Sequence, residues 1–190
     1  MNRYIEKKTF ERVDFTKDFL KKGEYDGCRF LNCNFSDGDI SNIVFSDCEF
    51  VDCNISLVKL HDTAFRNISF KHCKMLGLFF ESCNVFGTRF KFENCILNHS
   101  SFYKTQIQET HFSDSQLHEV DFSECNLTNA EFVRCDLQGA VFDNTNLEKA
   151  DFRSSVNYSI HPQTNRIKQA KFSLSEVSGL LEAYDIIIEE

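Results

Sequence analysis

The sequence predicts an all-β protein, a four-sided parallel β-helix whose coils each take about twenty residues. Apolar residues recur at every fifth position from Phe10 to Phe90 and again from Leu97 to Phe152. A period of five belongs to neither an α-helix nor a β-strand and indicates a stacked repeat. Every fourth of these positions is phenylalanine. The resulting core ladder consists of Phe10, Phe30, Phe50, Phe70, Phe90, Phe112, Phe132 and Phe152.

Each five-residue unit has two inward positions, the centre and the residue two before it. In the unit around Phe30 the small inward residue is Cys28. The other three positions are mostly polar, and outward pairs rich in Asn, Asp, Ser and Gly are typical of turns. If each unit makes one side and one corner, four units close a coil. Successive coils then stack at the strand spacing of about 4.8 Å.

A second column of like residues supports four sides rather than three. Cys33, Cys53, Cys73 and Cys95 follow one another at the spacing of one coil. A three-sided coil would mix Phe with Leu and Cys with Ala. The repeat changes phase by two residues before Leu97, and both columns stay in register only if two residues between Lys91 and Asn94 are extruded at a corner.

The pattern divides the chain into three parts. Residues 1–155 are predicted to form the β-helix, with residues 1–9 as a solvated lead-in that becomes the first, imperfect coil. Residues 156–172 break the pattern at Asn157 and Pro162, which predicts an irregular hairpin or a last repeat. Residues 173–190 change period and predict a helix followed by a strand. Ser173 and Glu176 have the spacing of a capping box at the start of this helix.

The predicted helix and strand can cap the open end of the β-helix or pair two copies of the chain. Three consecutive isoleucines exceed what a small cap needs, which favours a homodimer. The residues predicted to form this surface are Leu174, Val177, Leu180, Leu181, Tyr184, Ile186, Ile187 and Ile188.

Composition narrows the class of function. Asp and Glu number 29 against 21 Lys and Arg, for a formal net charge of −8. Nucleic-acid binding needs Lys and Arg, so no nucleic-acid partner is expected. No apolar run could span a membrane and no signal peptide is visible, which predicts a cytoplasmic protein without membrane contact. We expect no enzyme, cofactor or metal, since no catalytic or cofactor motif is present.

All nine cysteines occupy the small inward position of a unit. Free cysteine behaves there as a small buried hydrophobe. No CxxC pair is present, so reduced structural thiols are predicted rather than disulfides or metal ligands.

The twenty-residue register places six acidic residues outward on one face, with only Lys59 and Lys104 between them. This face is the predicted landing surface for a basic partner, and the alternative is an ordinary solvated face. The six residues are Asp39, Asp62, Glu81, Asp121, Glu124 and Asp143.

The repeat resembles the pentapeptide-repeat family, whose consensus is A(D/N)LXX. Units that carry the resemblance begin at Cys125, Ala130, Cys135, Ala140 and Ala150, with Leu or Phe two residues later. The resemblance implies a right-handed quadrilateral β-helix. It covers residues 10 to about 155.

The acidic, Cys- and Phe-rich composition and the C-terminal tail are similar to the Qnr and MfpA type within this family. That resemblance implies a homodimer that binds DNA gyrase or topoisomerase IV. The implied mechanism is DNA mimicry, which protects the enzyme from quinolones or peptide toxins. The alternative is a structural scaffold for an unrelated protein partner.

Overall fold

The computed structural model describes residues 3–184 and 186–187, which wind into a stack of coils. The described residues contain three short 3-10 helices, at Phe80–Ser82, Val177–Leu180 and Glu182–Tyr184. They also contain eleven short strands: β1 (Arg3–Glu6), β2 (Thr9–Glu11), β3 (Gly23–Asp26), β4 (Arg29–Leu31), β5 (Val44–Ser46), β6 (Glu49–Val51), β7 (Ala64–Arg66), β8 (Ile68–Lys71), β9 (Phe90–Glu93), β10 (His111–Ser113) and β11 (Glu131–Val133).

Four faces run along the stack, and we name them A to D in chain order. Face A holds the parallel sheet β1-β3-β5-β7, and face B holds the parallel sheet β2-β4-β6-β8-β9-β10-β11. Faces C and D are held by single-residue parallel bridges, such as Asn34 to Asn54 on face C and Asp39 to Lys59 on face D. The predicted all-β, four-sided parallel β-helix is therefore confirmed.

The phenylalanine ladder runs up face B. The ring centroids of Phe30 and Phe50 are 4.6 Å apart with the planes 9° from parallel, and those of Phe132 and Phe152 are 4.5 Å apart at 9°. Phe172 adds a ninth rung, 5.5 Å above Phe152. Rings on adjacent faces meet edge to face, as between Phe112 and Phe122 at 79°. Both geometries suit the quadrupole of an aromatic ring.

One predicted rung is wrong. Phe92, not Phe90, pairs with Phe70 below and Phe112 above, and its ring stacks on theirs at 5.4 Å and 5.0 Å. The two extra residues enter earlier than predicted, on face A. Ala64 still pairs with Asn84, whereas Arg66 pairs with Thr88. The bulge of residues 85–87 therefore stands opposite Phe65 alone, and no residues are extruded between Lys91 and Asn94.

Phe90 is buried but has a different role from the ladder. It pairs with Ile68 and so occupies the small inward position of face B, which holds Cys28 and Cys48 lower in the stack. Val85, which the five-residue period predicts to be inward, is 73% exposed in the bulge. The ring of Phe90 lies 5.7 Å from that of Phe65 and 5.4 Å from that of Phe80. Phe90 thus fills the space that face A loses at the bulge.

The corners use left-handed backbone. Among the described residues, twenty-four that are not glycine have φ between 49° and 62°, one near the end of most five-residue units. Asn and Asp tolerate this conformation best after Gly, and they provide half of the twenty-four. Outward Asn and Asp side chains also close many turns by accepting the N–H two residues on. Asn34 accepts that of Ser36 at 3.1 Å, for example.

The cysteines line the core as free thiols, eight of them buried and Cys83 partly buried. Their thiols donate to backbone carbonyls, as Cys53 Sγ does to Phe30 O at 3.3 Å. Burial raises the pKa of Cys48 and of Cys125 to about 12. These thiols therefore stay protonated, as structural cysteines do.

Both margins of the β-helix continue the repeat. Residues 3–6 are largely exposed, but they already belong to the first coil, because β1 pairs with β3 from Arg3 onward. Residues 156–172, all described, contain no hairpin and form a last repeat, the second of the two predicted alternatives. Bridges from Asp136 to Val156 and from Asp151 to Lys171 keep the parallel register. Tyr158 and Ile160 are buried in this segment, whereas Asn157 is exposed and Pro162 is only partly buried.

The predicted C-terminal helix does not form as one continuous amphipathic helix. Described residues after Phe172 form only the two short 3-10 helices, and Ile186 and Ile187 are not in a strand; Ile188 lies outside the described residues. No capping box forms, since Glu176 accepts the N–H of Asn157 at 3.4 Å instead. The segment after Phe172 caps the β-helix. It is held there by a hydrogen bond in which Gly179 O accepts the N–H of Ile160 at 2.9 Å. A Cβ at Gly179 would overlap the carbonyl oxygen of Tyr158.

Candidate partner-binding surface

The structure places the six predicted acidic residues on face D, at three kinds of position. Asp39 and Asp121 directly precede an inward centre, at Ile40 and Phe122. Glu81 and Asp143 directly follow a centre, and Asp62 and Glu124 lie at the left-handed corner. They share one face but do not form one continuous column.

The carboxylates of Asp39 and Asp121 also make hydrogen bonds that stabilise the fold. The carboxylate of Asp39 accepts the N–H of Ser41, and that of Asp121 accepts the N–H of Ser123, each at 2.8 Å. Hydrogen bonds from the hydroxyl and the backbone of Ser41 hold the pKa of Asp39 below its usual value. Each of these two carboxylates therefore closes a turn as well as carrying a charge that a partner could meet.

The side chains of the remaining four acidic residues do not close turns. Glu124 accepts from the Tyr103 hydroxyl at 3.0 Å, and its other oxygen is 3.4 Å from Lys104 Nζ. Asp62 accepts from Asn84 at 2.9 Å. Partial burial raises the pKa of Glu81, and the negative charge of Asp121 raises it further. These side chains are the ones a partner could engage without disturbing a turn.

The charge density of face D is lower than that of DNA. From Asp39 to Asp143 the face spans five coil steps, or about 24 Å at the strand spacing. Six carboxylates and two lysines leave a net charge of −4 on this strip. That is one charge per about 6 Å, against one per about 1.7 Å in duplex DNA. Face D thus carries roughly a quarter of the linear charge of DNA.

The net charge is distributed unevenly along the chain, which a comparison of single faces does not show. Residues 1–172 carry 24 Asp and Glu against 21 Lys and Arg, whereas residues 173–190 carry five acids and no Lys or Arg. Most of the net charge therefore lies in the tail. Counting charges on either side of Phe172 would have found this from the sequence.

A second region of negative charge is a belt around the upper coils. Residues 105–133 contain six acidic residues and no Lys or Arg. They are distributed over all four faces. Some have nitrogen neighbours, since Glu131 lies 3.0 Å from His111 and Asp114 receives two hydrogen bonds from Arg134 at 2.6 and 2.7 Å.

The bulge exposes two apolar side chains, one of which, Val85, the five-residue period predicts to be inward. Val85 and Phe86 are each about three-quarters exposed. The guanidinium of Arg66 lies 5.7 Å from the centroid of the Phe86 ring, a cation–π distance. Gly87, at φ +75°, allows the chain to turn back.

The predicted cap or dimer residues divide into two groups. Leu180 packs against the core, and Val177 and Leu181 are half-buried. Tyr184 lies over His161, with the rings 5.8 Å apart. Leu174, Ile186 and Ile187 are exposed and make the apolar part of the tail surface.

Three of the six histidines lie beside carboxylates. His99 lies 3.2 Å from Glu119, and His118 lies 2.8 Å from Asp136. Within the described residues no three metal-binding side chains come together. No helix in the described part of the chain is long and apolar enough to cross a bilayer.

Comparison with known proteins identifies the repeat. The sequence model of the pentapeptide repeat region matches residues 86–161. No curated protein sequence matches the chain significantly.

Two solved structures share the fold. One is a trypsin-treated variant of QnrB1, described as a plasmid-mediated fluoroquinolone resistance protein. It is 21% identical, with a TM-score of 0.59 over 99% of this chain and 92% of that chain. The other is HetL from the cyanobacterium Nostoc sp. strain PCC 7120, a protein involved in regulating heterocyst differentiation. It is 13% identical, with a TM-score of 0.51 over 90% of this chain and 86% of that chain. The five-residue register continues on both sides of the matched region, so residues 86–161 match the pentapeptide repeat and almost the whole chain resembles QnrB1 in fold.

Proposed function

We propose that this protein binds DNA gyrase or topoisomerase IV in place of DNA and so protects the enzyme from a quinolone or another poison. The main support is the rod itself. Nine stacked rungs from Phe10 to Phe172 make a rod about 38 Å long at the strand spacing, with net negative charge on face D. QnrB1, a resistance protein, shares the fold over almost the whole chain.

The proposed mechanism is non-catalytic and needs no cofactor. A DNA-binding groove presents Lys and Arg at the spacing of phosphates. Carboxylates of face D and of the belt at residues 105–133 would face those cations. Because face D has a quarter of the charge density of DNA, its binding should fall less steeply with salt than that of DNA.

Self-association through the C-terminal end belongs to the same proposal. Leu174 and Ile187 are 90% and 89% exposed, which is unusual for large aliphatic side chains in a small cap. A second copy would remove this surface from water.

The test is a gyrase supercoiling assay with and without ciprofloxacin, at increasing concentrations of this protein. We expect direct binding to gyrase and relief of the drug's inhibition. The informative variant reverses Glu81, Glu124 and Asp143 to Lys, because these residues close no turn between face D and the core. A matched control reverses Glu11, Glu24 and Glu148 on faces A and B, outside the belt at residues 105–133, with the same change in net charge.

The expected result is loss of binding in the face D variant and retention in the control. Equal loss in both variants would mean that only net charge matters and that face D is not the contact. No binding of the unaltered protein at micromolar concentration would overturn the proposal.

A second candidate is a scaffold for an unrelated protein partner. The low charge density of face D favours it, and HetL shows that this fold also occurs in a protein involved in regulating differentiation. A protein that leaves gyrase and topoisomerase IV unaffected at every concentration would support this candidate.

A further inference from the structure

Four cysteines form a continuous column inside face C. They are Cys33, Cys53, Cys73 and Cys95, all buried, one in the small inward position of each successive coil. Their thiols share one orientation, because each donates to the carbonyl two residues before it at 3.3–3.4 Å. Equivalent atoms of successive coils are about 4.8 Å apart. The four sulfur atoms therefore lie in one line at about that spacing.

A shorter column of the same kind lies on face B. Cys28 and Cys48 are buried in successive coils, and their thiols donate to the carbonyls two residues before them at 3.6 and 3.3 Å. The two cysteines of the upper coils are different. Threonine lies above and below Cys125 in its column, and serine lies above and below Cys135. The chain therefore contains both stacked and isolated buried thiols.

The spacing of the stacked thiols is too long for disulfide bonds. A disulfide joins Cβ atoms about 3.8 Å apart, with an upper range of about 4.5 Å, whereas Cβ atoms of successive coils follow the coil spacing of about 4.8 Å. A metal ion between two sulfur atoms needs a longer separation. With a metal–thiolate bond of about 2.3 Å, a linear S–metal–S unit measures about 4.6 Å between its sulfur atoms. The columns match this length.

A line of ligands supports only two-coordinate binding. Structural zinc sites need four converging ligands, and no three metal-binding side chains converge in the part of the chain that the structure describes. Thiolate sulfur selects soft ions such as Cu(I). A monovalent ion with a filled d shell is stable with two ligands on opposite sides. The columns are therefore suited to Cu(I) and not to Zn²⁺.

We propose that the stacked cysteines bind soft monovalent metal ions of the Cu(I) class between neighbouring coils, one ion for each pair of thiols. Each ion replaces two thiol protons, which pass to solvent, so that a bound pair carries one negative charge. The N–H of Cys33 donates to Cys53 Sγ at 3.4 Å, and a hydrogen bond of this kind stabilises a thiolate. The three pairs are Cys33 with Cys53, Cys73 with Cys95, and Cys28 with Cys48.

These sites depart from the sequence expectation, which assigned the cysteines no metal. Thiolate metal motifs usually place two cysteines within a few residues of each other. Here the two ligands of a pair are 20 residues apart, or 22 across the bulge, and only the stacking of coils brings them together. The inference is independent of the proposed binding of topoisomerase.

Titration of the reduced protein with Cu(I), supplied as its acetonitrile complex without oxygen, tests the proposal. Copper that survives competition with bathocuproine disulfonate is counted by native mass spectrometry. The column variant is Cys53→Ser with Cys73→Ser, and the matched control is Cys125→Ser with Cys135→Ser. Both variants should fold, because the next residue up the face C column is Ser115, whose hydroxyl accepts the N–H of Cys95 at 3.0 Å.

We expect three copper ions in the unaltered protein and in the control, and one in the column variant. X-ray absorption at the copper edge should show two sulfur neighbours for each ion. The proposal would be overturned if the folded protein retained no copper, or if both variants lost copper equally, which would indicate binding by thiols in general. Three or more sulfur neighbours, or loss of the β-sheet circular dichroism on loading, would also overturn it, because the metal would then occupy a rearranged chain.

Discussion

Replacing Phe90 with cysteine should destabilise the protein, although cysteine is the residue found at this position in lower coils. Cys28 and Cys48 occupy the small inward position of face B, and Phe90 occupies it one coil above Ile68. A consensus argument would favour Phe90→Cys. The structure predicts the opposite, because the Phe90 ring fills the space that Val85 leaves when it turns outward in the bulge.

The magnitude follows from burial. Phe90 is 6% exposed, and a residual cavity of about 10 Å³ already lies between Phe90, Val85 and Ile107. That volume is at the lower limit for one water molecule. Removing the ring would enlarge the cavity among apolar walls. Phe→Ala substitutions in cores cost about 3–5 kcal/mol, and the larger cysteine should reduce this to roughly 2–4 kcal/mol.

Urea unfolding followed by far-ultraviolet circular dichroism measures the change. With an m value of about 3 kcal/mol/M, the midpoint should fall by roughly 1 M. Val120→Cys is the matched control, since it places a new thiol in the small inward position of face D. A near-isosteric exchange of this kind costs under about 1.5 kcal/mol. An unchanged or higher midpoint for Phe90→Cys would refute the assignment of Phe90 as the filler of the bulge.

Further predictions concern the core, a corner, the cap and the thiols. Phe132→Asp should prevent folding, whereas Glu131→Lys should not, as judged by circular dichroism; a folded Phe132→Asp protein would contradict the inward ladder. Leu57→Asn should raise the melting temperature by reducing the cost of a left-handed residue, about 1–2 kcal/mol, since Leu57 is exposed with φ 59°; a lower melting temperature would count against strain there. Gly179→Ala should release the cap and speed hydrogen exchange of the Ile160 amide, with unchanged exchange as the contrary result. Stability should fall as pH rises from about 8.5 towards 12, because unfolded thiols ionise there while that of Cys48, with a pKa of about 12, does not; the slope should be at most ~1.4 kcal/mol per pH unit for each such thiol, and a flat profile would show that the thiols are not protected.

The coil register could be predicted because the core repeats the same residues at the same positions. Phe30, Phe50 and Phe70 stack as expected, and the cysteine column from Cys33 to Cys95 crosses the insertion in register. The position of the insertion could not be predicted from period alone. Phe90 and Phe92 are the same residue type, so either can be read as the rung. The turn-forming Gly87 is the signal that places the extra residues before Phe90 rather than after it.

The conformation of the C-terminal tail could not be predicted for a different reason. Its apolar spacing predicts an α-helix from local pattern, but tertiary contact decides its form. Gly179 must lie against the backbone of Tyr158, and the docked segment there takes a 3-10 conformation. The six acidic residues lie on face D, whereas their turn hydrogen bonds depend on backbone geometry that a count of charges does not contain. Asp39 and Asp121 therefore proved to be partly structural.

The regular pairing of each coil with the next has a consequence for folding speed. Paired residues are separated by 20 residues, or by 22 across the bulge. In a chain of 190 residues this gives a relative contact order of about 0.1, a value typical of helical bundles rather than of β-sandwiches. An all-β protein of this kind should fold without the slow search that distant strand pairing imposes. Growth can begin at any pair of coils and proceed to both ends, with the bulge at residues 85–87 as the step most expected to delay it.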